Sequence, residues 1–290
     1  MKLLLKLDLM LLALMALALV GVSFFARSFL NNNARAQVLH QAELMMESAS
    51  STRQYTTEEL KPLLQTSPAH TVRFLPQIVP AYGATSIFAR LRKKFPEYTY
   101  KEATLNPTNL ADRAVDWEAD VVENFRNHRD QKELVGERNT PTGPALYLAH
   151  PISVQPSCLE CHSTPAVAPK TMLKQYGRNN GFGWNVNDVV AAQIVSVPSE
   201  VPLMIARKAY RTLMWSLAAT FAVILLAINV VLYLVVILPV RRLVGVANQV
   251  SLGNLDVAEV RVSGHDEISD LTTAFNRLFV SVTKAMKMLD

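Results

Sequence analysis

The run from Leu213 to Leu238 contains no charged residue, and a second run, Leu9 to Phe25, is almost wholly apolar. Each has the length a helix needs to cross a hydrocarbon core about 30 Å thick. Such runs constrain the chain before anything else is read, because in lipid the backbone polar groups must find partners within the segment itself. Two transmembrane helices are therefore expected. They divide the chain into a first span and signal anchor at 1–26, an extramembrane region at 27–212, a second span at 213–238 and a tail at 239–290. The first run is open to a second reading as a cleaved signal peptide, since Lys2 and Lys6 form a basic n-region and Ala34-Arg35-Ala36 resembles a cleavage site. That site lies well beyond the apolar run, which is itself long for a signal peptide, so an uncleaved anchor is expected. Basic residues flank both spans on both sides (Lys2, Lys6, Arg27, Arg207, Arg211, Arg241, Arg242), and positive charge alone leaves the orientation open.

Both cysteines of the chain fall within Cys158-Leu159-Glu160-Cys161-His162. Thiols at that spacing reach the two vinyl groups of one macrocycle, and the adjacent imidazole is delivered beneath the iron. The run therefore reads as a covalent haem c site, one per chain, with Cys158 and Cys161 as thioether anchors and His162 as proximal ligand. A C-x-x-C pair also serves as a dithiol couple, a disulfide or half of a zinc site. Tetrahedral zinc wants four protein ligands, and no second cysteine pair exists. A thioredoxin-like motif expects a strand before it and a helix opening at it, whereas Pro151, Pro156, Pro165 and Pro169 place this one in a loop. Haem c is the expectation, with dithiol and zinc behind it.

Past Arg27 the first helix is expected to continue as a stalk, with Val38, Ala42, Met45 and Ala49 forming a stripe at helical spacing. Thr56-Thr57-Glu58-Glu59 reads as a cap and a new helix, and Ala81 to Lys94 as another, bounded by Pro80 and Pro96. Tyr98 to Thr104, Ala145 to His150 and Asp188 to Val197 read as strands, Asp112 to Arg126 as a helix, and Gly136 to Pro144 as a loop. Strands interleaved with helices, without a regular βαβ repeat, give an α+β domain on an antiparallel sheet, an order that a PAS-like fold fits. Between Gly177 and Trp184, Arg178 alone is far short of a basic stripe, so no nucleic-acid partner is expected. Phe182 and Trp184 there read either as the wall of the haem pocket or as ordinary core aromatics.

After the second span, Val246, Ala247 and Val250 begin one amphipathic helix, and Ile268, Leu271, Phe275, Leu278 and Val282 form the stripe of another. Two short helices cannot bury such stripes alone, and the same pair from a second protomer completes a parallel four-helix bundle, hence a homodimer.

Pro239, Gly253-Asn254-Leu255, Asp266-Glu267-Ile268 and Phe275-Asn276 resemble the HAMP linker of bacterial transmembrane receptors. The region from about Glu43 to Pro198 resembles the periplasmic haem-c sensors with a PAS-like fold. The residues that carry this are Tyr100 to Asn109, Asp116-Trp117-Glu118, Pro151-Ile152, the C-x-x-C-H run, Tyr176-Gly177 and Val195 to Pro198. The first resemblance implies a cytoplasmic tail, and the second a periplasmic domain at 27–212 in the cell inner membrane. In the resembled family the sixth haem ligand can be a cysteine of the N-terminal helix. This chain has no third cysteine; its stripe puts Met45 there with Met46 adjacent, and His40 and His70 are the alternatives. Together these features imply a non-enzymatic membrane sensor of redox state or a small diatomic ligand, signalling through the linker to a separately encoded cytoplasmic protein. The alternative is a membrane-anchored monohaem cytochrome for electron transfer.

Overall fold

The computed structural model describes residues 3–141, 143–254, 256–262 and 264–289. Lys2 of the basic n-region and Leu255 of the Gly-Asn-Leu run lie outside them. Contacts divide the chain into two units, one of residues 26–210 and one made of residues up to 25 with those from 211 onward.

Helix α1 (Leu3–Tyr55) belongs to the second unit up to Phe25, and from Ala26 it is the expected stalk on which the first unit is built. It continues through a π-helical turn (Thr56–Leu60) into α2 (Lys61–Gln65), followed by α3 (Pro68–Val72) and α4 (Pro80–Arg92). Then come β1 (Thr99–Thr104), α5 (Asp116–Asn127), β2 (Leu134–Thr140), β3 (Gly143–Ser153), α6 (Leu159–His162), α7 (Lys170–Tyr176) and β4 (Val189–Pro198). The strands form one antiparallel sheet in the order β1-β4-β3-β2. Successive side chains of a strand point to opposite faces, and here both faces are covered. Leu146, Leu148, Val195 and Val197 pack on Val38, Ala42 and Met46 of α1. Ala149, Ala192 and Ile194 pack on Val121, Val122 and Phe125 of α5. The α+β, PAS-like expectation describes this architecture.

Three local expectations differ. The segment read as a loop from Gly136 contains most of β2, an edge strand whose exposed residues alternate with half-buried ones and which pairs with β3 from Leu134↔Ala149 to Thr140↔Gly143. Thr56 and Thr57 do not cap a new helix: their hydroxyls donate back to the carbonyls of Thr52 (2.8 Å) and Arg53 (2.9 Å). That back-bonding keeps the helix running and accompanies its π-helical turn. The stalk stripe turns by one residue, so Met46 is 2 % exposed and Met45 only partly buried.

In the second unit, α8 (Glu200–Leu232) passes through a π-helical turn (Tyr233–Ile237) into α9 (Leu238–Ser251), and α10 (Glu267–Leu289) follows. The apolar side chains of both long runs stay exposed, as lipid-facing helices require. Within them, Asn229 Nδ2 donates to Asp8 Oδ1 at 2.8 Å and to the Leu225 carbonyl at 3.0 Å, a polar clasp of the kind that joins helices in lipid. Leu243, Thr272 and Phe279 are buried, and the Asn276 amide brackets Val260, donating to its carbonyl (2.8 Å) and accepting from its N–H (3.1 Å). Leu271, Leu278 and Val282 remain exposed along one side of α10.

Candidate haem site

The C-x-x-C-H run is not the loop that its prolines suggest. Pro156 opens a 3-10 turn, Pro156–Cys158, which leads directly into α6. On such a turn, residues three and four apart share a face, so Cys158, Cys161 and His162 are presented together. The two thiols are not joined to each other. The turn is fixed to its surroundings by backbone hydrogen bonds. Val154 and Asn187 clamp its approach (Val154 N to Asp188 O, 2.9 Å; Asn187 N to Val154 O, 3.0 Å). Gly183 and Trp184 donate to the carbonyls of Ser163 (2.9 Å) and His162 (3.3 Å).

His162 is set with particular care. Its Nδ1 donates to the Gly181 carbonyl at 2.7 Å, and Trp184 stacks on the ring with centroids 3.9 Å apart and planes 12° from parallel. A carbonyl can only accept, so Nδ1 carries the proton and Nε2 keeps its lone pair. Burial lowers the imidazole pKa, with the Gly181 bond opposing, which holds the ring in the neutral form that a metal requires. Gly181 has φ of 80°, which favours glycine, and a Cβ there would run into the Thr108 hydroxyl. Asn106 Oδ1 accepts from the Gly181 N–H at 3.2 Å, completing the support.

These groups open on a cavity of about 270 Å³ lined by Cys158, Cys161, His162 and Trp184. Apolar walls come from Phe74, Ile78, Ile152, Met172, Val190 and Ala191. A more polar wall comes from Arg53, Thr57 and Lys61 at one-turn spacing, with Tyr82, Glu102 and Asp112. Two thiols, a neutral imidazole with a free nitrogen and an apolar lining are the donor set and the surroundings that a haem c needs. Among the described residues, no group of three or more His, Cys, Asp or Glu is gathered as for a metal held by protein alone, so the zinc reading gains no fourth ligand.

Of the sequence-predicted residues, the fold brings Cys158, Cys161, His162 and Trp184 together. Trp184 lies against the imidazole face, so its first contact is His162. Phe182 does not line this cavity; it packs beside Phe74, Ala168 and Met172. Met45 and Met46 do not line it either. Met46 is held against the sheet, and Met45 packs with Ala49, Ala84, Phe88 and Tyr100. The α1 side chain that reaches the cavity is Arg53, two turns beyond Met46. His40 is exposed and faces Glu43 (3.4 Å). His70 packs on Phe74 with ring centroids 6.0 Å apart, its Nδ1 buried without a hydrogen-bond partner among the described residues. Met172, outside the expected site residues, is 2 % exposed and lines the cavity with Tyr176. Their i,i+4 spacing on α7 was the available signal.

The polar wall carries charge. Arg53 pairs with Glu102, and Tyr100 Oη donates to Glu102 Oε1 (2.8 Å) and to Gln193 Oε1 (3.0 Å). Burial first, then Glu102, raises the Tyr100 pKa far above its usual value. Asp112 is pushed up to about 6, by burial first and then by Glu102, against Lys101 and Asn109. A carboxyl whose folded pKa is raised favours folding while protonated, so its contribution is full below the unfolded value and is lost as pH rises through about 6. Asp112→Asn should therefore flatten the thermal stability between about pH 4 and 6. Thermal melts at the two pH values check this, and an unchanged slope contradicts it.

A PAS-like sheet domain in one chain with two apolar helices, with a C-x-x-C-H turn facing a cavity, defines the class: a membrane protein with a haem-type sensor domain. The profile of the Tll0287-like family, described as Tll0287, matches residues 31–198, more than half of the chain, and that of the HAMP domain matches 231–284. The chain belongs to the Tll0287-like family. None of the curated proteins matches it. A solved structure, that of the cyanobacterial haem protein Tll0287, aligns at 15 % identity over 55 % of this chain and 94 % of its own, with a TM-score of 0.44.

Proposed function

We propose that the protein is a two-span inner-membrane sensor that holds one covalent haem c on Cys158 and Cys161, with His162 as proximal ligand. The observation that carries this is the meeting of both thiols with a histidine whose Nδ1 proton is committed to Gly181, leaving Nε2 for iron. Bound haem would supply an iron that changes oxidation state or takes a small diatomic ligand. The chain's own residues do the rest. Gly181 and Trp184 hold the imidazole, the apolar walls exclude water, and the Arg53–Glu102 pair ties α1 to β1 at the cavity wall. A change at that wall acts on α1, the helix whose first half is the first apolar run. The domain faces the periplasm and the HAMP region the cytoplasm, where a separately encoded signalling protein takes the output. The chain works as a homodimer and catalyses no reaction.

The exposed Leu271, Leu278 and Val282 support the homodimer, since a second α10 is the direct way to cover them. Single cysteines at these three positions should be linked by a bis-maleimide, and one at the buried Thr272 should not. The yields should differ between oxidised and reduced protein. Reporter fusions after Asp130 and after Asp290 should report periplasm and cytoplasm. Equal yields in both redox states would move the tethered-cytochrome reading ahead, links no stronger at the stripe than at Thr272 would remove the dimer, and reversed fusion labels would remove the topology.

A further inference from the structure

A second cavity, of about 390 Å³, shares Thr104, Trp184 and Val190 with the first and belongs to no function described so far. Its chemistry comes from Arg126, Arg129, Asn106, Asp188, Phe182 and Trp184. Two guanidiniums and one carboxylate line it, and the carboxylate is already engaged: Asp188 Oδ2 accepts from Asn185 N (3.2 Å) and Nδ2 (3.0 Å). Arg126 is held in place, its Nε donating to the Val189 carbonyl at 2.9 Å and its Nη1 to Glu123 Oε1 at 3.0 Å. Arg129 has no hydrogen bond or ion pair among the described residues. A cavity with one fixed and one uncommitted guanidinium, walled on another side by two aromatic rings, matches an anionic group on a short apolar body. Guanidinium suits a planar carboxylate better than a point charge would, because its paired N–H groups match the two oxygens.

We propose that this cavity is a carboxylate-binding site, and that occupancy is felt at His162 through the shared Trp184, which stacks on the imidazole. The carboxylate has two sources: a free monocarboxylate, or a propionate arm of the haem whose binding was proposed above. Only the second source rests on the haem reading.

The test uses the purified full chain in detergent, with acetate, propionate and benzoate as calorimetric probes. Saturable binding that weakens about tenfold in Arg129→Gln, but not in Arg178→Gln, supports the free source. Absence of free binding, together with a midpoint potential that moves in Arg126→Gln and Arg129→Gln but not in Arg178→Gln, supports the propionate source. Neither binding nor a selective shift in potential overturns the proposal. Binding to protein that purifies without haem would uphold the site while the haem reading fails, so the two failures are distinct.

Discussion

Glu102→Ala is expected to cost about 3 kcal/mol of stability, because it leaves the part-buried Arg53 guanidinium without its carboxylate and the Tyr100 hydroxyl with Gln193 alone to donate to. The side chains of Arg53 and Glu102 are 23 % and 6 % exposed, so water reaches the arginine in part and the loss falls at the lower end for a broken buried pair. Glu102→Gln keeps one acceptor oxygen, for Arg53, while its amide N–H can donate to the Tyr100 oxygen, whose own proton still reaches Gln193, so it should cost less than Glu102→Ala. Chemical denaturation of the three proteins measures this. A loss below about 0.5 kcal/mol for Glu102→Ala would place the pair among surface ion pairs of no structural weight and would remove it as the tie between α1 and the sheet.

The second large effect is expected at Gly181. In Gly181→Ala, a side chain must sit at φ of 80° and meet the Thr108 hydroxyl, so the loop has to move. The backbone penalty alone is about 1–3 kcal/mol. The carbonyl that orients His162 moves with the loop, so the imidazole loses the bond that fixes its tautomer and plane. With the haem proposed above in place, the expected result is attachment retained, with an altered reduced spectrum and a shifted potential. Thr108→Ala should change neither by as much, and combined with Gly181→Ala it should restore part of the loss by making room. A spectrum and potential of Gly181→Ala identical to those of the unaltered protein would contradict the assigned role of Gly181.

What the sequence disclosed follows from the range over which each signal acts. The C-x-x-C-H run and the apolar runs are local, so the cysteine and histidine cluster and both long helices could be read directly, while the flanking prolines hid the short helical turn that carries the cluster. Strands β1, β3 and β4 carry β-branched or apolar residues that the sheet interior demands. Strand β2 is an edge strand of sequence Leu-Val-Gly-Glu-Arg-Asn-Thr, and its polar residues hide it until its partner is known. The cavity wall was the least legible part. Helical periodicity gave the face of α1 that meets the sheet, but the turn of that helix that reaches the cavity is a tertiary fact, and it brings up Arg53 instead of Met45 or Met46. Arg53 finds Glu102 49 residues away, a separation that no periodicity encodes. Adjacent loop positions also part company: Trp184 stacks on His162, while Phe182 turns to the Phe74 and Met172 group.

The central claim is covalent attachment of one haem at Cys158 and Cys161, and peptide-resolved mass spectrometry of the full-length protein after acid–acetone extraction tests it most directly. The expected result is one haem retained on the peptide containing Cys158 to His162, and none in the protein with both Cys158→Ala and Cys161→Ala. An unmodified peptide from protein matured in cells that attach haem c, or haem that leaves on extraction, would contradict the account.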